Sequence, residues 1–262
     1  MLRGTAAHVA PRFAYSTSED CMLVVSSASR QRRTRRVILS SALAGAALIA
    51  VSIAACSSDT EPAAPREVDG AAVSVGQGTA RTFVVTGANG ASSIGVAFTP
   101  QALDGLPAVD SMWSLPLPAG ETVAPYDHIQ INWNAHGHPP AVYGIPHFDF
   151  HFYTISTAAQ AAILPGPDTV AVPAANVPTN YVSGVEAVPD MGVHWVDTLS
   201  AEFQGHVFDH TLIYGFYHGA MVFIEPMVTR DFLASQPNAS APVKQPLAFQ
   251  QPGRYPSRYS VR

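Results

Sequence analysis

A chain of 262 residues, 47% hydrophobic and only 13% charged, is long enough for a packed core and too apolar for a disordered polypeptide. Beyond residue 55, 7 basic residues stand against 17 acidic ones, a formal charge of −10, which excludes the basic surface that nucleic-acid phosphates require. The two cysteines fall at Cys21 and Cys56, so no disulfide and no thiolate metal site is expected in the body that follows.

Residues 30–36 read RQRRTRR and residues 37–55 read VILSSALAGAALIAVSIAA. A basic run followed by an apolar span ending in small residues has the logic of an export signal. Ile53-Ala54-Ala55-Cys56 resembles the lipobox at which lipoprotein signal peptidase cuts, leaving lipid on Cys56. An uncleaved apolar stretch of 19 residues would nearly span a bilayer, but small residues dominate it and a Ser/Pro/acid-rich tether follows. Residues 1–55 are therefore expected to be a signal segment, with Met22 as the true start and Thr34–Leu39 (TRRVIL) resembling a twin-arginine motif. Residues 56–75 read as a lipidated linker, 76–236 as a β-rich domain, and 237–262 as a flexible tail or an arm docking on a neighbour. This reading places the protein in the bacterial cell envelope, lipid-anchored on the extracytoplasmic side, with the membrane as a partner and a second copy of the chain as another candidate.

Past the linker, short β-like runs alternate with turn signals. Arg81–Thr86 and Ser92–Phe98 flank Asn89-Gly90, a hairpin signal. Tyr126–Trp133 and His147–Ile155 read as strands, and Thr211–Tyr217 and Ala220–Glu225 flank a turn at His218-Gly219. Ser156–Leu164 has a Ser cap, helix formers and a Pro165-Gly166 stop; Thr229–Ser235 reads as one more short helix. The 22 prolines and 19 glycines sit mostly between these runs. The expected class is all-β or mainly β, an antiparallel barrel or sandwich with one or two short helices.

The most informative segment is HFDFHFY, residues 147–153. Side chains alternate across a strand, so Phe148, Phe150 and Phe152 share a face that core burial explains. His147, Asp149 and His151 share the other, where three titratable groups need solvent, mutual pairing or a metal. Cα atoms two apart on a strand lie ~6.6 Å from one another and four apart ~13 Å. Asp149 plus one neighbouring histidine can meet on one ion, whereas His147 and His151 together would be stretched. Further ligands are expected from His136 and His138 in the preceding loop, from His194, and from Glu225 in the apolar run MVFIEPM, where a buried carboxylate needs a partner. The candidate metal ligands are thus His138, His147, Asp149, His151, His194 and Glu225. A His/carboxylate set suits a divalent first-row ion, zinc above all. His206, His210 and His218 are scattered and read as ordinary structural residues.

His138-Pro139-Pro140, the octet PHFDFHFY (146–153), Gly192-Val193-His194-Trp195, and Tyr214-Gly215 through Glu225-Pro226-Met227 resemble, in order and spacing, an exported bacterial domain family of unknown function, from about Arg81 to Leu233. The resemblance implies a shared β-rich fold and polar site, with no assigned substrate. Three functions are compatible with these residues. The first is a membrane-anchored metal-binding lipoprotein. The second is a metal-dependent hydrolase or isomerase acting on a small molecule, with Asp149, Glu225 or Tyr153 as acid or base. The third is a metal-free β-barrel module holding an apolar ligand against Trp113, Trp133 and Trp195.

Overall fold

The computed structural model describes residues 64–184 and 186–262 in full and Cys21–Ser26 by backbone alone. Cys56 and most of the expected leader and tether lie outside the described residues. Strands numbered along the chain form two antiparallel sheets. The first contains β1 (Cys21–Ser26), β2 (Arg66–Asp69), β3 (Val73–Val75), β4 (Gly78–Gly87), β5 (Gly90–Phe98), β13 (Ala239–Pro242) and β14 (Arg258–Val261). Its order is β13-β14-β1-β5-β4-β2, with β3 also pairing β4. The second contains β6 (Ser111–Leu115), β7 (His128–Asn134), β8 (His147–Tyr153), β9 (Tyr181–Ser183), β10 (Val193–Asp197), β11 (His210–Tyr217) and β12 (Ala220–Thr229), in the order β6-β7-β8-β12-β11-β10-β9.

The protein is thus a mainly β, antiparallel sandwich rather than a closed barrel. Val84, Ile94, Val96 and Phe98 of the first sheet form one core with Ile129, Ile131, Phe148, Phe150, Phe152, Tyr214 and Ile224 of the second. Phe98 meets Phe150 edge-on, with centroids 5.8 Å apart, and Trp133 packs on Phe148 at 4.9 Å. Both hairpin signals are used. Ala88-Asn89 link β4 to β5 with Gly90 at φ +89°. His218 and Gly219, at φ +49° and +78°, link β11 to β12 in the left-handed conformation that matches strand twist.

Four expectations change. The helix expected over Ser156–Leu164 shrinks to α1 (Thr157–Gln160), capped by the Ser156 hydroxyl, because the segment has no apolar stripe to bury beyond Ile163. The second short helix is found where it was expected, as α2 (Arg230–Ala234), capped by Thr229. The linker expected to run to residue 75 ends earlier: β2 and β3 pair with β4, and Val75 is buried. The tail expected over 237–262 is not loose. β13 and β14 pair with each other, and Val243, Tyr259 and Val261 are buried, so the alternation Tyr259-Ser260-Val261 outweighs the segment's polar composition. Finally, Cys21–Ser26, assigned by sequence to the export segment, runs between β5 and β14. A cut before Cys56 would remove this strand and leave the ladder groups of β5 and β14 facing each other across its place.

Candidate metal centre

The face of the second sheet turned away from the core carries the polar groups. Register places His128, Gln130, Asn132 and Asn134 of β7 opposite Tyr153, His151, Asp149 and His147 of β8. On the other side of β8 lies β12, where Phe223 pairs with Tyr153 and Met227 with Asp149. Glu225 falls between these pairs on the same face, next to Pro226, which has no N–H to give to the ladder. Two strands beyond β12, His194 of β10 stands opposite Gly215 of β11. All seven residues of β8 are buried, so loops cover this face as the first sheet covers the other.

All six candidate ligands lie here, but as two groups of three rather than one centre. His138, His147 and Asp149 offer ligand atoms within 4.8 Å of one another, and so do His151, His194 and Glu225. Both sets consist of two imidazoles and one carboxylate. His147 and His151 fall in different groups, as expected for positions four apart. His136 is exposed and belongs to neither group, as are His206 and His218, while His210 binds the Tyr259 hydroxyl through Nδ1 at 2.7 Å.

In the first group, His147 Nδ1 lies 2.6 Å from the Ile145 carbonyl and His138 Nδ1 lies 2.8 Å from the Pro139 carbonyl. A carbonyl can only accept, so each Nδ1 carries the proton, and each Nε2 faces Asp149. The Nε2 to carboxylate distances are 3.1 Å for His147 and 3.6 Å for His138. Asn134 Nδ2 donates to Asp149 Oδ2 at 2.7 Å and sits 3.3 Å from His147 Nε2. Asp149 Oδ1 and the Asn132 amide oxygen have no hydrogen-bond partner. Burial pushes the Asp149 carboxyl up, but pairing with His138 and His147 whenever these rings take a second proton, on Nε2, outweighs it and holds the group below the usual carboxylate range. Burial pulls His138 down, and Asp149 more than restores it, so its imidazole is raised. Gly137 seats this ligand. It takes φ +69°, and a Cβ there would lie 2.1 Å from the Tyr143 carbonyl oxygen, so any other residue would force the loop to shift.

The second group is drier. His151 is fully buried and Glu225 is 1% exposed. Glu225 Oε1 is 3.6 Å from His151 Nε2, and Oε2 is 3.6 Å from His194 Nε2, too far for hydrogen bonds. Burial holds His151 down at about 3 and His194 at about 4. It also raises the Glu225 carboxyl well above its usual range, and the nearby Asp149 charge adds to this. Tyr153, a candidate acid or base by sequence, is committed elsewhere: its hydroxyl donates to the Asp190 carbonyl at 3.1 Å. Its ring stacks on His151 and His128.

Tetrahedral coordination with bonds of ~2.0–2.1 Å sets ligand atoms about 3.3 Å apart. The nitrogen-to-carboxylate separations of 3.1 and 3.6 Å bracket that spacing, and all ligand atoms of each group lie within 4.8 Å. Asn132 and Asn134 were absent from the expected set, although the alternation His128, Gln130, Asn132, Asn134 signals a second polar strand face. Tyr143 and Glu202 were also missed. Their buried pair, with the phenol donating at 3.0 Å, depends on a contact 59 residues apart.

A family model described as TTHB210-like, hypothetical protein TTHB210, matches residues 88–133. That agrees with an uncharacterised domain family. The matched stretch stops at the end of β7, short of the octet and the other segments on which the sequence resemblance rests. No curated protein and no solved structure matches the chain.

Proposed function

We propose that this is a divalent-cation-binding protein of the bacterial cell envelope, with an ion, zinc above all, held by His138, His147 and Asp149. One observation carries the reading. Both imidazoles give their Nδ1 protons to carbonyls and turn Nε2 toward a buried carboxylate that retains an unpartnered oxygen. This is the arrangement in which outer hydrogen bonds orient metal-binding histidines. Nitrogen and carboxylate donors without thiolate suit zinc or a neighbouring first-row ion. A supporting role for Asn132 follows from its free oxygen opposite Asp149.

The test is elemental analysis of untagged protein after equilibration with zinc and removal of free ion. At least one ion per chain is expected, and Asp149→Asn is expected to cut the content by about one. Absence of bound zinc in the wild type overturns the reading, and so does an Asp149→Asn variant that retains its full content.

Attachment to a membrane through lipid on Cys56 is part of the same proposal. It is supported by the RQRRTRR run, the apolar span and the IAAC segment. Among the described residues no helix is long and apolar enough to cross a membrane. Cys56→Ser is expected to move the protein from the membrane to the soluble fraction and to abolish fatty-acid labelling; unchanged fractionation refutes the anchor.

A second reading, a metal-dependent hydrolase or isomerase, is favoured by ligand number. Three protein ligands leave a coordination position for water or substrate, and His138 is about one-third exposed. The metal-free apolar-ligand module has less support, because the space between the sheets is filled by rings such as Phe98, Phe148 and Phe150.

A further inference from the structure

We infer that His151, His194 and Glu225 form a second, separate metal site, so that the protein holds two divalent ions side by side along one face of β8. The inference rests on the proposed metal-binding function but on different atoms and a different observation.

Both nitrogens of the His151 ring and Oε2 of Glu225 lack any hydrogen-bond partner among the described residues. Leaving several polar atoms of one buried cluster unsatisfied is costly, and proteins rarely do so without an ion or water in the gap. The gap has the dimensions of an ion rather than of direct bonds. Each imidazole Nε2 stands 3.6 Å from a different oxygen of the same carboxylate, beyond hydrogen-bonding range and near the ~3.3 Å edge of a tetrahedral zinc site. A divalent ion there would neutralise the carboxylate and use both imidazoles in their neutral form.

The surrounding residues shape this gap. Gly215 lies opposite His194, and a Cβ at Gly215 would meet the Phe223 ring at 2.2 Å. The missing side chain lets that ring lie over β11, with its centroid 4.7 Å from that of His151 and 5.3 Å from that of His194. This ring packs against both imidazoles. The ring of Tyr153 packs against His151 on another side.

The two sites are distinct. Each has its own carboxylate, Asp149 or Glu225, and no carboxylate belongs to both groups. No ligand is shared between the two groups, so removing one site leaves the other able to load.

Zinc content of the full chain, measured after equilibration with excess zinc and gel filtration, tests this. The wild type is expected to hold two ions per chain. His194→Ala and the near-isosteric Glu225→Gln are each expected to hold one, and His138→Ala also one. Circular dichroism confirms folding of each variant, and because His194 is partly exposed its truncation leaves the core intact. A wild-type content of one that survives His194→Ala and Glu225→Gln overturns the second site while leaving the proposed function standing. A content of one that is lost in both His138→Ala and His194→Ala shows a single shared ion and equally overturns it. A content of zero removes both proposals.

Discussion

Phe150→Ala is expected to lower folding stability by about 3–5 kcal/mol and to leave the zinc content unchanged. The Phe150 ring is completely buried, meets Phe98 edge-on and lies 6.2 Å from Phe148. Truncation removes apolar surface from the centre of the sandwich and leaves a cavity that neighbouring β-strands cannot collapse to fill. The adjacent residue, Asp149, points to the opposite face, so the two positions should separate completely: one alters stability, the other ion binding. Urea unfolding of the metal-free variant measures the first effect, and zinc analysis of the same preparation below its transition measures the second. A loss of under ~1 kcal/mol, or a fall in bound zinc in the folded variant, would contradict the assignment of faces along β8.

Glu225→Gln is expected to change sign with metal. The folded-state carboxyl of Glu225 is raised above its unfolded value, chiefly by burial. Such a group contributes stability that is fully present below the unfolded value near 4.5 and is lost as pH rises toward the folded one. In the metal-free protein at pH 8, this carboxylate is therefore a burden, and glutamine, which does not titrate, relieves it. The variant is expected to be more stable than the wild type by roughly 1–3 kcal/mol at pH 8, and the difference is expected to vanish near pH 4.5. His151 and His194, held down by burial, are present in both proteins and drop out of the comparison. With saturating zinc the order reverses, because the wild type gains binding free energy that the variant loses at this site, with affinity there falling at least ~100-fold. Thermal melts in chelator at the two pH values, then with zinc, read out all four states. Equal melting points in chelator at pH 8 would show that Glu225 is not confined in a dry environment.

The two outcomes depend on features of different origin. Strand period is local: the pleat sends Phe148, Phe150 and Phe152 one way and His147, Asp149 and His151 the other whatever lies around them, so both faces were legible in seven consecutive letters. The same period places Asn132 and Asn134 on the polar side of β7, a signal equally present in the letters. Turn chemistry at Gly90 and at His218-Gly219 is local as well, and it located two hairpins.

Composition proved a weaker guide where a few apolar residues decide the outcome. In 237–262, Val243, Tyr259 and Val261 are enough to seat a segment that is otherwise rich in Pro, Gln and Arg. Val75 does the same for residues expected in the linker. Cys21–Ser26 shows the reverse problem: an apolar run reads equally well as part of a leader and as a strand, and pairing with β5 and β14 is a property of those partners.

The amino-acid sequence by itself determined that the chain is a mainly β body and which six side chains are candidates to share its polar side, because alternation and turn preference act between near neighbours. Only the tertiary structure decided that these six divide three and three. The division follows from the order β8-β12-β11-β10, which brings Glu225 and His194 beside His151, and from the Gly137 loop, which folds His138 back over His147 and Asp149. Partners up to 74 residues apart meet through strand pairing across the sheet, and no short-range pattern encodes which strand will lie beside which.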